Sequence, residues 1–119
     1  MGLELICYEN CSTCKKAERW LKEHGVDYQT RPIREQNPTR EELDAWSKES
    51  GLELRRFFNT SGQKYKALGL KDKLGSMSRE EQLALLASDG MLVKRPLLLG
   101  RGTVLVGFQE QRWAEALLG

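Results

Sequence analysis

The sequence predicts an α/β fold built on a four-stranded mixed sheet, and three stretches carry that expectation. A short apolar run, Leu3 to Tyr8, gives way to a helical pattern starting near Ser12. Two Thr/Ser-x-x-Glu signals, Thr39 to Glu42 and Ser78 to Glu81, each open a segment with helical apolar spacing. Finally, Leu97-Leu98-Leu99 and Thr103-Val104-Leu105-Val106 flank Gly100-Arg101-Gly102, the pattern of an antiparallel hairpin.

Each element follows from local chemistry. Both faces of the Leu3–Tyr8 run are apolar after Glu4, which places it inside the sheet. From Ser12 to His24, Cys14, Ala17, Trp20, Leu21 and His24 recur at three- and four-residue spacing against a charged opposite face, and Gly25 is placed to end the helix. Val26 to Ile33 reads as a second strand closed by Arg31-Pro32, giving a β-α-β opening with parallel strands. Residues 38 to 90 read as a helical block of four helices: one after Thr39 ending at Gly51, short pieces over Leu52–Phe58 and Gln63–Leu70, and one after Ser78 closed by Gly90. A last helix is expected over Gln109 to Leu118. The order β-α-β, helical block, β-β-α matches a thioredoxin-like arrangement carrying an insertion, within a single domain over residues 1–119.

Composition narrows the function classes. A chain of 119 residues suits one core, burying about two thirds of the surface exposed on unfolding. Nineteen Lys and Arg against 17 Asp and Glu leave a formal charge of +2, too small to argue for direct binding to nucleic acid or an anionic membrane. Three cysteines crowded into positions 7 to 14 do not resemble a secreted disulfide framework. No leader pattern opens the chain and no run of 18 apolar residues occurs, so a soluble, cytoplasmic monomer is the expectation.

The chemistry concentrates in Cys11-Ser12-Thr13-Cys14. At the mouth of a helix, amides without intrahelical partners and the positive end of the macrodipole favour an anionic sulfur at Cys11. Cys14 lies one turn along on nearly the same side, within disulfide reach. Half a zinc site has the same spacing, but the further ligands on offer are Cys7, on a strand, and His24, about 15 Å along the helix. Cys7, Cys11 and Cys14 also spell C-x3-C-x2-C, an iron–sulfur spacing. A Cys7 facing the core could not converge with the other two, so it reads as a small buried hydrophobe, and no metal is expected. Pro96 precedes the Leu97 strand, where a prolyl turn can set its backbone beside the Cys11 helix, with Arg95 bringing a permanent cation. Of Arg55 and Arg56, one is expected to face solvent and the other to reach an anion. His24 reads as a structural residue at a helix C-terminus.

Four motifs in order are similar to those of the arsenate reductase (ArsC) and Spx family: Asn10-Cys11-Ser12-Thr13-Cys14-Lys15-Lys16-Ala17, Leu54 to Gly62, Leu85 to Pro96, and Val106-Gly107-Phe108. The resemblance runs from about Leu5 to Phe108. It implies a thioredoxin-like fold with a helical insertion, a catalytic or sensing cysteine at Cys11 and a cis proline at Pro96. Arsenate reductases of that family hold the oxyanion with one cysteine and three arginines; Cys11 matches the cysteine, Arg55 the first arginine and Arg95 the second. The third falls at or beside Gly107, where no arginine stands. The cysteine pair resembles that of Spx-type regulators, whose disulfide switch changes how they engage RNA polymerase, while Arg55 to Gly62 is closer to the uncharacterised reductase-like branch.

The resulting expectation is a thiol–disulfide oxidoreductase acting on a small thiol or disulfide. Cys11 is the nucleophile, Cys14 the resolving thiol, and Arg95 and Arg55 orient an anionic group such as a glutathione carboxylate. No bound cofactor is expected, with glutathione, glutaredoxin or thioredoxin as reductant. The alternatives are a redox-sensing regulator that binds the C-terminal domain of the RNA polymerase α chain, and a weak glutathione- and glutaredoxin-dependent arsenate reductase.

Overall fold

In a computed structural model that describes residues 2–119, the elements run β1 (Leu3–Cys7), α1 (Ser12–Glu23), β2 (Tyr28–Pro32), α2 (Arg40–Ser50), α3 (Gln63–Ala67), α4 (Leu70–Lys73), α5 (Arg79–Ser88), β3 (Leu97–Gly100), β4 (Thr103–Val106) and α6 (Glu110–Leu117). They form two compact units, one from the segments up to Pro32 and from Arg95 to Gly119, the other from Ile33 to Lys94.

The first unit holds the sheet, in the order β2-β1-β3-β4. β1 runs parallel to β2, with Leu5 opposite Thr30, and antiparallel to β3, with Leu5 opposite Leu98. β3 and β4 form the hairpin, Leu98 facing Leu105. Leu3, Leu5 and Leu98 pack with Ala17, Trp20 and Leu21 of α1 and Trp113 of α6 into one buried cluster. The period of two along β1 and of three to four along α1 bring these residues face to face. Each large side chain buried there contributes about 1.5–3 kcal/mol. Ile6 and Leu97 are fully buried as well, so β1 is apolar on both faces, as its composition requires.

The second unit is helical. Both capping boxes form. The Glu42 N–H donates to Thr39 Oγ1 and the Thr39 N–H to Glu42 Oε1, at 3.1 and 2.9 Å. The Glu81 N–H donates to Ser78 Oγ and the Ser78 N–H to Glu81 Oε1, at 3.1 and 2.8 Å. Leu43, Phe57, Phe58, Leu83, Leu86, Leu92 and Val93 are buried. Arg79 ties α5 to α2 through Asp44 Oδ1 at 2.8 Å and Ser47 Oγ at 2.6 Å.

Several boundaries differ from the sequence expectation, each for a local reason. The helices and 3₁₀ turns of the second unit run from Arg40 to Leu92. Leu52–Phe58 contributes a single 3₁₀ turn, Leu54–Phe57, because Phe58 is extended and bridges Val93, with Lys94 N–H donating to the Phe57 carbonyl at 2.8 Å. Gln63–Leu70 splits into α3 and α4 where Gly69 turns left-handed. α5 ends at Ser88 rather than running to Gly90, since Asp89 is extended and caps a 3₁₀ turn over Gly90–Leu92 through Met91 N–H. Among the described residues no helix is long and apolar enough to cross a membrane.

Candidate functional site

The turn from β1 into α1 is held by the Cys11 N–H donating to the Tyr8 carbonyl at 3.1 Å. Cys11 is the N-cap of α1, in extended conformation at φ −99° and ψ 115°. Its Sγ accepts the backbone N–H of Cys14 at 3.4 Å, while its carbonyl accepts the N–H of Lys15 at 3.1 Å. A cysteine here does what Ser or Asp does at other N-caps. The first turn of α1 carries no acidic residue, so no carboxylate competes for the dipole at this end.

The three thiols are reduced and differ in setting. Cys11 is half-buried and reachable, whereas Cys14 is 1% exposed. The Cys14 thiol donates to the Cys7 sulfur; that bond, with burial added, holds the Cys14 proton well above the ordinary thiol range. The same bond holds Cys7 below its ordinary value, against the opposing effects of burial and of Glu18. Beside them the Tyr28 hydroxyl donates to Glu18 Oε1 at 2.9 Å, and burial together with that bond pushes its pKa up to about 12.

Cys7 therefore corrects the sequence reading. It faces the core side of β1 as expected, but this brings it to Cys14 instead of keeping it away. Leu3, Leu5 and Cys7 share one face of β1, that face looks at α1, and Cys14 is the first buried residue of α1. The signal was present in the sequence: a period-two set ending in Cys7 and a helical stripe beginning at Cys14 must meet where the strand delivers the chain to the helix.

Arg95 joins the same unit. Its guanidinium carbon lies 5.4 Å from the centroid of the Tyr8 ring, a cation–π contact that anchors the charge to the loop leading to Cys11. The Tyr8 hydroxyl also accepts from Asn10 Nδ2 at 3.3 Å. The Arg95–Pro96 peptide bond is cis, and the Pro96 carbonyl accepts the Gly107 N–H at 2.8 Å. Arg55 stands in the helical unit, exposed, with its Nε paired to Glu53 Oε2 at 2.8 Å. His24 caps α1 at its C-terminus, its Nδ1 donating to the Trp20 carbonyl at 2.8 Å and its ring 4.2 Å from that of Trp20, which accounts for it structurally. Among the described residues no group of three or more His, Cys, Asp or Glu side chains converges as a metal site requires.

The model of the ArsC family matches residues 7–116. The chain belongs to the ArsC family. It is 53% identical to the uncharacterized protein YusI of Bacillus subtilis, over 97% of this chain and 98% of that one. An ArsC-family-related protein from Bacteroides fragilis has the same fold, with a TM-score of 0.93 and 50% identity over 97% of this chain and 98% of its own. A possible arsenate reductase from Streptococcus mutans superposes with a TM-score of 0.83 at 47% identity, over 90% and 91% of the two chains. The global transcriptional regulator Spx 2 of Bacillus cereus is a more distant relative, 24% identical over 86% of this chain and 76% of that one.

Within this ArsC-family chain, Gly107 has a local explanation. It adopts φ +73°, the left-handed region that a branched or long L side chain enters at a cost of about 1–2 kcal/mol. Trp113 Nε1 donates to its carbonyl at 3.1 Å, fixing that conformation from the buried core. An arginine at this position would work against the backbone.

Proposed function

We propose that this ArsC-family protein is a thiol–disulfide oxidoreductase of a reducing, cytoplasmic compartment, with Cys11 as nucleophile and Cys14 as resolving thiol. The observation that carries this reading is the N-cap geometry of Cys11, whose sulfur accepts the Cys14 amide at 3.4 Å. That amide is a donor already aimed at the sulfur that reacts. The division of labour follows from exposure: Cys11 is open to a substrate, while Cys14 is buried and keeps its proton.

In the forward direction the Cys11 thiolate attacks one sulfur of a small disulfide. The mixed disulfide forms and the other half leaves as a thiolate. Cys14 then gives up its proton and attacks Cys11 Sγ, forming the Cys11–Cys14 bond and releasing the second thiolate. Two glutathione thiols, or one dithiol protein such as glutaredoxin or thioredoxin, reduce the bridge and are themselves oxidised. Arg95, seated over Tyr8 beside this loop, attracts an anionic substrate group.

The test is turnover of oxidised glutathione or a model disulfide by the parent, Cys11→Ser and Cys14→Ser. Cys11→Ser should be inactive and Cys14→Ser should accumulate a mixed disulfide at Cys11. Turnover by Cys11→Ser equal to that of the parent rejects the mechanism.

A second reading rests on the relationship to Spx 2, a transcriptional regulator. In it the Cys11–Cys14 pair is a switch that governs attachment of this chain to the C-terminal domain of the RNA polymerase α chain. Pull-down of that domain under oxidising and reducing conditions distinguishes the two, and absence of binding in both states removes the second.

A further inference from the structure

We propose that the free edge of β4 is an interface between two copies of this chain, their β4 strands pairing antiparallel about a two-fold axis at Leu105. The two four-stranded sheets then run on as one, in place of the monomer expected from the sequence.

The backbone register makes that edge self-complementary. β4 ends the order β2-β1-β3-β4, and no strand lies beyond it among the described residues. Leu98 faces Leu105, Gly100 faces Thr103, and the Gly107 N–H donates to the Pro96 carbonyl at 2.8 Å. In an antiparallel ladder, residues that exchange hydrogen bonds alternate with residues that do not. Thr103, Leu105 and Gly107 therefore turn their backbone groups toward β3, and Val104 and Val106 turn one N–H and one C=O each outward. With Leu105 on the axis, Val104 of each copy faces Val106 of the other and four hydrogen bonds form. The two Leu105 residues become a pair without hydrogen bonds, their α-carbons about 4.5 Å apart.

The side chains agree with this pairing. Thr103-Val104-Leu105-Val106 carries no charge and no proline, the devices that guard edge strands against addition. β2, the opposite edge, has both in Arg31 and Pro32. Beside β4 lies a cleft of about 820 Å³ between Leu105 and the flank of α6, with Glu110, Arg112, Glu115 and Ala116 in its wall. All four of those α6 residues are exposed. Leu105 packs on the side of the sheet that carries Trp113, so the paired strands bring the two α6 flanks together on that side. A wall holding one arginine and two glutamates is complementary to its own two-fold image, and Arg112 of each copy faces the carboxylates of the other. Four backbone bonds alone fall short of the cost of association; the apolar edge and the paired walls supply the rest.

Sedimentation velocity of the full chain from micromolar to millimolar concentration reads the association, and the expected result is a reversible monomer–dimer equilibrium. Val104→Pro removes an outward N–H and leaves the ladder to β3 complete. It should raise the dissociation constant about thirtyfold, since each dimer loses two of its four bonds. Arg112→Glu makes one wall wholly acidic, and the double variant Glu110→Arg, Glu115→Arg makes the other wholly basic. Each alone should stay monomeric at concentrations where the parent dimerises, and an equimolar mixture should form a heterodimer. That rescue needs both wall variants to be folded, so the test stands even where Val104→Pro misfolds. A parent that remains monomeric at millimolar concentration overturns the proposal. So does a dimer left unchanged by a Val104→Pro protein with the parent's circular dichroism, because the contact then lies elsewhere. A mixture of the wall variants that does not associate overturns the pairing of the α6 flanks.

Discussion

Gly107 shows how one backbone angle decides a side chain. The family resemblance implies a third oxyanion-holding arginine at or beside this position, each charge-assisted contact of that kind contributing about 1.5–3 kcal/mol. The residue instead sits at φ +73°, with its N–H on Pro96 and its carbonyl on Trp113. Gly107→Arg should therefore lower stability by about 1–2 kcal/mol, a drop of about 4–8 °C in Tm for a small domain. It should not confer arsenite production with glutathione and glutaredoxin. Thermal unfolding of the variant beside the parent checks the first part, and an arsenite assay the second. An unchanged Tm would mean that the Trp113 bond does not hold this turn.

At the scale of elements, the helical unit is organised by its caps and by one close backbone approach. Ser78 and Thr39 each satisfy an amide that the first helical turn leaves unpaired, so Ser78→Ala or Thr39→Ala should cost about 1 kcal/mol. Gly90 follows a different logic. A Cβ built there would stand 2.5 Å from the Ile33 carbonyl oxygen and 2.6 Å from Asn37 Oδ1, and Asn37 is itself held by donating from Nδ2 to the Ala87 carbonyl at 2.9 Å. The backbone oxygen has no rotamer into which to retreat, so Gly90→Ala should cost about 1–3 kcal/mol, the range for overpacking. Urea unfolding of the three variants should rank Gly90→Ala as the most damaging; a loss smaller than that of Ser78→Ala would show that this approach relaxes. The caps were legible in the sequence because the Ser/Thr-x-x-Glu spacing is a property of one helical turn. The constraint on Gly90 was not, because it depends on which carbonyl lies across from it.

For the whole molecule, the same distinction separates what the sequence reveals from what it hides. The order β-α-β, helices, β-β-α is written in local periods of two and of three to four, in the Gly100-Arg101-Gly102 turn and in the caps, and the sheet order and hairpin follow from it. The Cys11–Cys14 pair was legible because both members lie within one turn. The meeting of Cys7 with Cys14 required two periods of different length to be placed face to face. Ionisation is likewise set by neighbours, and two groups bound the stable pH range from opposite sides. The ion pair with Lys64 Nζ at 2.7 Å, helped by the Met91 N–H at 2.8 Å, holds the Asp89 carboxyl below its ordinary value. A depressed carboxyl contributes stability that is fully present above the unfolded value of about 3.9 and is lost as pH falls through the folded one. Tyr28 has the opposite sign. With its folded value pushed up to about 12, its contribution is fully present below the unfolded value of about 10 and is lost as pH rises beyond it. Urea midpoints should therefore hold level near neutrality, fall in acid and fall again above about pH 10. Asp89→Asn should flatten only the acid limb, keeping the cap but losing the charge, and Tyr28→Phe should flatten only the alkaline limb, while lowering the neutral plateau by about 1 kcal/mol for the lost bond to Glu18. An alkaline limb of unchanged slope in Tyr28→Phe would assign that limb to the thiols, of which buried Cys14, held protonated by Cys7, carries the same sign as Tyr28.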